Sequence, residues 1–236
     1  MSWLVASTER TDVAVVRDTT PALWRELRRF NAPIQLAVAA AHEVATSARV
    51  PAEAALVSLA PCQSGSPEIH HWVHMFETGG AVRPNPTHTL HIVDNLALSV
   101  LALGLGNHAY GLSLGGAPGM LWVGLELVGE RLELEREVIV LGGDQESSER
   151  AGSPQAFALL FARERTAWGP RGRAVQLVAV ERRRAATPVA PAPHAAAGAR
   201  AMIAALDAQP PGRFSYVAPA AHGDGTDDVT IIWELE

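Results

Sequence analysis

A single cysteine, Cys62, occurs in 236 residues, which excludes an intramolecular disulfide and fits a reducing compartment. Lysine is absent, so all positive charge is arginine, gathered at Arg25 to Arg29, Arg163 to Arg173 and Arg182 to Arg184. With a formal net charge of −6, the chain lacks the clustered basic face that phosphate binding needs, which argues against nucleic acid as its partner. The arginine groups read as solvated ends of helices and strands, with docking of an acidic partner as the other reading. No apolar run approaches the roughly 20 residues of a bilayer span. The longest, Leu96 to Leu105, contains Ser99 and Gly104 and suits a buried helix. The first residues, MSWLVASTERTDVAVV, lack a basic segment followed by a long apolar one, so no secretory signal is read there. A soluble cytoplasmic protein without membrane contact is the expectation.

Familiar site signatures are sparse too. H-E-x-x-H does not occur; Gly111-Leu112-Ser113-Leu114-Gly115 has the G-x-S-x-G spacing, but its serine lies before the strand-to-helix turn rather than on it; and the Gly104-Leu105-Gly106 and Gly115-Gly116 pairs lack the context of a phosphate loop. His70 and His74 share a helix spacing with Glu68 nearby, and His88 and His91 are three apart, but neither set has zinc-site spacing. These histidines, with His71, read as hydrogen-bonded surface or interface residues, and no metal or cofactor is expected.

What is present is an ordinary globular composition, 48% hydrophobic and 19% charged, long enough to bury a sizeable core. Trp3 to Ala6 and Asp12 to Val16 read as short strands separated by the polar Ser7 to Arg10. Thr20-Pro21 starts a short helix over Ala22 to Phe30, with Thr20 as cap and Pro21 first. Pro33 to Ala48 is a longer helix whose alanines, Ala37, Ala39, Ala40, Ala41 and Ala45, permit close packing against a sheet. Ala55 to Ala60 reads as a buried strand opening into the loop Pro61 to Pro67. Glu68 to Phe76 has a helical pattern, and Gly79 to Thr89 reads as irregular.

The stretch His91 to Gln145 organises the chain. It reads as an apolar helix, a glycine-rich connection, a short strand near Leu112, a helix over Met120 to Gly129, and a strand Glu137 to Leu141 ending in Gly142-Gly143-Asp144. A strand-to-helix turn of this kind is where an α/β protein places a nucleophile or ligand. Beyond it, Ala156 to Arg163 and Ala174 to Arg182 read as an antiparallel hairpin around Gly169 to Gly172. Ala185 to Pro193 reads as a linker, and His194 to Leu206 as an alanine-rich helix. Phe214 to Val217 and Val229 to Leu235 read as closing strands around a flexible Ala221 to Gly225 loop. The order predicts an α/β fold with a mixed sheet covered by helices on both faces.

These residues resemble the β-ketoacyl synthases of the thiolase superfamily. Arg28-Arg29-Phe30, the alanine-rich helix up to Arg49-Val50-Pro51 and the strand from Ala55 look like the opening half of such a synthase. Asn95 falls where that family has an asparagine starting the helix before its nucleophile elbow. Leu112 to Gly119 sits at the elbow itself, and Val138 to Asp144 is similar to the strand ending in a glycine pair and an acidic residue. Ala156 to Arg163 looks like the hairpin that follows that strand. His194 with Ala195 to Gly198 is similar to the histidine-to-glycine helix of the second half, and Gly223 to Trp233 to its last loop and strand. Residues 1–165 carry the likeness. Residues 166–236 would be a compressed remainder of the second half, the whole forming one compact thiolase-like domain with a reduced second half.

The position that aligns with the family's cysteine falls on Gly116. A condensation through a thioester needs a thiolate, so the resemblance implies a catalytically silent subunit similar to the chain length factors of type II polyketide and aryl-polyene synthases. Such a subunit forms a heterodimer with an active ketosynthase, or a homodimer with itself, and helps shape the pocket for an acyl chain borne by an acyl carrier protein. It would serve polyketide or fatty-acid biosynthesis. Pocket or interface residues are then Asn95, Tyr110, Ser113, Gly115, Gly116, Trp122 and His194, with Trp72 and Phe76 as further aromatic candidates. Core packing is the competing reading of the aromatics, and a backbone-bonded strand end that of Ser113. The alternative is an acyl-transfer or hydrolytic enzyme using Cys62, its thiol activated by His70, His71 or His74; an inert, small buried cysteine is the bland reading.

Overall fold

Ala-Leu-Val-Ser-Leu at Ala55–Leu59 (β2) is buried at every position. A run with no polar alternation belongs inside a sheet covered on both faces. The computed structural model describes residues 1–19, 21–50, 52–59, 74–75, 77–78, 95–115, 119–144, 154–165, 173–184, 194–222 and 225–236. Besides β2 its strands are β1 (Ser2–Arg10), β3 (Gly111–Leu114), β4 (Glu137–Asp144), β5 (Gln155–Ala162), β6 (Val175–Arg184), β7 (Gly212–His222) and β8 (Gly225–Leu235). Its helices are α1 (Val13–Thr19), α2 (Pro21–Leu27), α3 (Ala32–Ser47), α4 (Leu96–Leu105), α5 (Met120–Leu134) and α6 (Ala195–Ala208). The strands form one eight-stranded sheet in the order β3-β2-β4-β5-β1-β6-β8-β7. β2 pairs parallel with β3 and β4, and every other pairing is antiparallel.

Two cores lie on the two faces. On one, α3 presents Leu36, Ala37, Ala40, Ala41 and Val44 to Leu56, Ile139, Leu141, Ala158 and Leu160, with Val100 and Leu101 of α4 beside them. The expected alanine helix is in place: Asn31 caps it by accepting from the Ile34 N–H at 3.2 Å, and its small side chains let it lie flat on the sheet. On the other face a single core joins Val57, Leu59, Val140 and Phe161 of the first strands, Leu121, Leu125 and Val128 of α5, Ala199 and Met202 of α6, and Ile231 and Trp233 of β8.

That second core shows that the sheet bends around α5. At Gly124 an added Cβ would lie 3.2 Å from the Leu59 side chain and 3.3 Å from that of Val140, so this face of α5 rests on β2 and β4. From other positions of the same helix, Trp122 donates through Nε1 to the Pro219 carbonyl at 3.2 Å, and Glu126 accepts from Arg182 at 2.5 and 3.0 Å. Along the way β1 shifts register between Leu4 and Ala6, and β6 between Leu177 and Ala179. Such a bulge bends a strand and strengthens its twist.

Several sequence expectations are corrected. Asp12 to Val16 is not a strand: the Asp12 carboxylate accepts from the Ala14 N–H at 2.8 Å, and α1 begins at Val13, the cap and packing on α3 overriding β-branched propensity. Ser7 to Arg10 is no separator but the second half of β1, where Glu9 reaches Arg200 of α6 and Arg10 reaches Glu43 of α3. Alternate residues of a strand face opposite sides, so a charged pair is accommodated by a helix on each face. The expected hairpin of β5 with β6 does not form, because β1 lies between them. Ala221, His222 and Gly225 belong to the strands of the β7–β8 hairpin, α2 ends at Leu27, and α5 continues to Leu134. Of the helical pattern of Glu68 to Phe76, positions 74 and 75 are described and helical, as are 77 and 78 beyond it, the rest of the pattern lying outside the described residues, as do the Pro61 to Pro67, Gly79 to Thr89 and Ala185 to Pro193 segments.

The arginines hold the chain together. Arg163 donates to the Leu132 and Glu135 carbonyls at 2.6 and 3.0 Å and so closes the end of α5, as cations at a helix C-terminus do. Arg173 donates to the Gln209 carbonyl at 2.7 Å, Arg165 pairs with Glu236 at 2.8 Å, and Arg29 with Glu26 at 2.8 Å.

Candidate functional site at the strand ends

The parallel strands β2, β3 and β4 end together, and crossover connections return helices to their carboxyl ends. α5 starts here, just after β3. Gly119 takes its cap position with φ 85° and ψ 4° and no side-chain cap bond; this left-handed conformation suits glycine. The α3 start lies against Gly143, where a Cβ would sit 2.3 Å from the Pro33 carbonyl oxygen. At Gly142 a Cβ would meet Phe157 at 2.8 Å. The glycine pair at the end of β4 is therefore a steric necessity, letting a helix start and an aromatic ring close on the strand from two sides.

Asp144 follows them and is 7% exposed. Its Oδ2 accepts from the Ala196 N–H at 2.5 Å, in the first turn of α6, where a carboxylate is favoured by unpaired N–H groups and the helix dipole. His194 occupies the cap position but makes no side-chain cap bond; the capping oxygen comes from β4 instead. Burial pushes the Asp144 carboxyl above its ordinary range, and the Ala196 bond and the nearby His194 pull the other way.

Beside the start of α5, Trp122 is fully buried, with its ring 5.9 Å from that of Tyr216 and tilted by 50°. Tyr216 is half-buried on β7, and loss of solvent raises its phenol above the ordinary value. Ser113 pairs in register with Ser58 of β2, which is 1% exposed. Gly115 is exposed just beyond β3. The strand-end region thus combines two helix starts, a buried carboxylate, a half-buried phenol and a pair of strand serines.

Ser113, Gly115, Trp122 and His194 all lie at this end. Asn95 is exposed and directly precedes α4, making no side-chain cap bond; its carbonyl accepts from the Ser99 hydroxyl at 3.1 Å. Tyr110 does not join them. It precedes β3 at the opposite end, its carbonyl accepting from the Leu56 N–H at 2.9 Å, and the Arg131 guanidinium lies 4.5 Å above its ring. Gly116, Cys62, His70, His71, His88, His91, Trp72 and Phe76 lie outside the described residues; His74 is exposed. Among the described residues no group of His, Cys, Asp and Glu is placed to hold a metal, and no helix is long and apolar enough to cross a membrane.

Sequence reasoning named Asp144 only as a strand end and missed Tyr216 and Pro219. The Trp122–Pro219 bond joins residues 97 positions apart, which no local pattern signals.

Solved structures share this fold. A ketosynthase (ApeO) in complex with its chain length factor (ApeC), from Xenorhabdus doucetiae, is 13% identical with a TM-score of 0.59, the match covering 99% of each chain. OleA from Xanthomonas campestris is 9% identical with a TM-score of 0.54, over 99% of this chain and 96% of that one. A type II polyketide acyl-carrier protein in complex with its ketosynthase (AntDE:AntF) gives 13% identity and a TM-score of 0.55, over 78% of this chain and 69% of that one. No family model and no curated protein matches the sequence. The chain has the thiolase-like fold of the ketosynthases, with its mixed sheet and helices.

Proposed function

We propose that this chain is a ketosynthase-like subunit that has kept the elbow scaffold without the condensing thiol, pairs with an active β-ketoacyl synthase, and helps shape the pocket for a carrier-borne acyl chain. The elbow sequence Leu-Ser-Leu-Gly-Gly-Ala-Pro-Gly over residues 112–119 contains no cysteine, and thioester condensation has no substitute for a thiolate there. The likeness to a ketosynthase bound to its chain length factor supports the pairing, and the likeness to a ketosynthase with its carrier protein supports the acyl role.

One observation carries the partner. No Asp, Glu, Lys or Arg occurs between Asp94 and Glu126, yet this stretch supplies α4 and the edge strand β3. Only Val100 and Leu101 of α4 are buried, and Leu103 is 84% exposed. Soluble chains protect edge strands with charge, proline or bulges; Gly-Leu-Ser-Leu of β3 has none of these. Among the described residues no element covers this edge, and an apolar helix beside it fits burial against another subunit.

Co-expression with synthases encoded nearby, followed by co-purification, tests the proposal. A synthase is expected to co-purify with the chain, and Leu103→Asp to abolish this while leaving the melting temperature unchanged, since the side chain contributes almost nothing to the fold. If no synthase co-purifies and no product changes length, the proposal fails.

A further inference from the structure

At the register shift in β6, a groove of about 380 Å³ opens between this strand and α5. Leu125 and Leu177, 1% and 6% exposed, form its floor with Val180, and Val178 at the bulge is 43% exposed beside them. Glu126 and Glu130 form the wall along α5. Glu126 is fixed by Arg182 through both carboxylate oxygens, which neutralises it and holds it rigid. Glu130 is exposed and makes no ion pair among the described residues, so the wall keeps one uncompensated negative charge.

Between the two glutamates stands Gly129. A Cβ there would meet nothing within 4 Å, in contrast to Gly124 on the same helix, which touches Leu59 and Val140. A glycine inside a helix costs about 1 kcal/mol relative to alanine. At Gly124 close packing offsets that cost; at Gly129 nothing within the chain does, and the missing side chain is what keeps the groove open.

We infer that this groove binds a small aliphatic ammonium ion, its alkyl stem against Val178 and Val180 and its charge beside Glu130. The volume lies in the range of small-molecule sites, about 300 to 1,000 Å³, which typically combine an apolar lining with a few polar groups. The residual charge of the wall selects a cation and disfavours a carboxylate of the same length. The groove is displaced along α5 from the strand ends, so the site stands whether or not the chain pairs with a synthase.

The test is titration of the full chain with hexylammonium at neutral pH, followed in amide proton–nitrogen spectra, with hexan-1-ol and hexanoate as controls. Saturable shifts are expected at Gly129, Glu130, Val178 and Ala179, with affinity about threefold above that for hexanol, as befits a single exposed charge. Glu130→Gln should remove that advantage. Gly129→Leu should abolish binding while raising the melting temperature, because a good helix former replaces glycine, so loss of binding is not loss of fold. Absence of saturable shifts, equal affinity for hexanol, or undiminished binding to Gly129→Leu would overturn the inference.

Discussion

The two ends of the sheet are built on different rules. β2, β4 and β5 are buried almost throughout, with burial broken only at Glu137 and Gln155, because α3 lies on one face and α5 and α6 on the other. β6 is buried only at Val175 and Leu177 and exposed at Val178, Glu181, Arg183 and Arg184, and Val217 of β7 is 60% exposed. Here only the inner face meets a helix among the described residues. A strand packed on both sides has no side on which a change is tolerated, whereas a half-covered strand has one.

The sharpest contrast is between glycines. Gly143→Ala would drive a Cβ into the Pro33 carbonyl, backbone against backbone, and is expected to destabilise by about 3 kcal/mol or more, read as a lowered midpoint in urea. If the midpoint is unchanged, α3 does not sit as tightly on β4 as described. Next, Leu59→Ala, fully buried on β2, should cost about 2 to 5 kcal/mol. Val217→Thr on the open face should stay within about 0.5 kcal/mol. Similar losses at both sites would mean that the second half of the sheet is covered in solution, and the comparison would collapse.

A smaller effect separates the halves by pH. Asp144 ties β4 to α6 and holds its proton to higher pH in the folded chain than in the unfolded one, because burial opposes its charge more than Ala196 and His194 support it. Over the window between the two values the folded state binds more protons. Its contribution is therefore fully present below the ordinary aspartate value and is lost as pH rises through the raised one. The substitution Asp144→Asn would keep an oxygen for the Ala196 N–H without titrating, so the native protein should gain stability relative to this variant on acidification from neutral pH. Parallel pH profiles from urea melts would show that Asp144 is not desolvated.

Much of the first half was legible because its signals are local. The alanines of α3 and the unbroken β2 run each carry a physical requirement within a few residues, whereas Gly142 and Gly143, legible as the end of a strand, are required by Phe157 and Pro33, which the sequence does not place beside them. The second half was harder. A period of two identifies Val175 to Arg182 as a strand but does not say which strand it pairs with, and β5 was the wrong neighbour because β1, from the other end of the chain, takes that edge. Ser113, Gly115 and Trp122 share the strand ends because they flank one strand-to-helix turn, and His194 joins them only through the packing of α6. Tyr110 lies at the opposite end because it starts the same short strand whose end forms the elbow, and sequence proximity does not distinguish the two ends.

By itself the sequence determined the class of fold and the absence of a thiol from the elbow, since composition, periodicity and residue identity are properties of the chain alone. Only the tertiary structure decided that β1 lies between β5 and β6, that the sheet bends around α5, and that the carboxylate of Asp144 caps a helix begun 51 residues later at Ala195. Each of these is a contact between distant segments, and such contacts are selected by how the whole core closes, which no local stretch encodes.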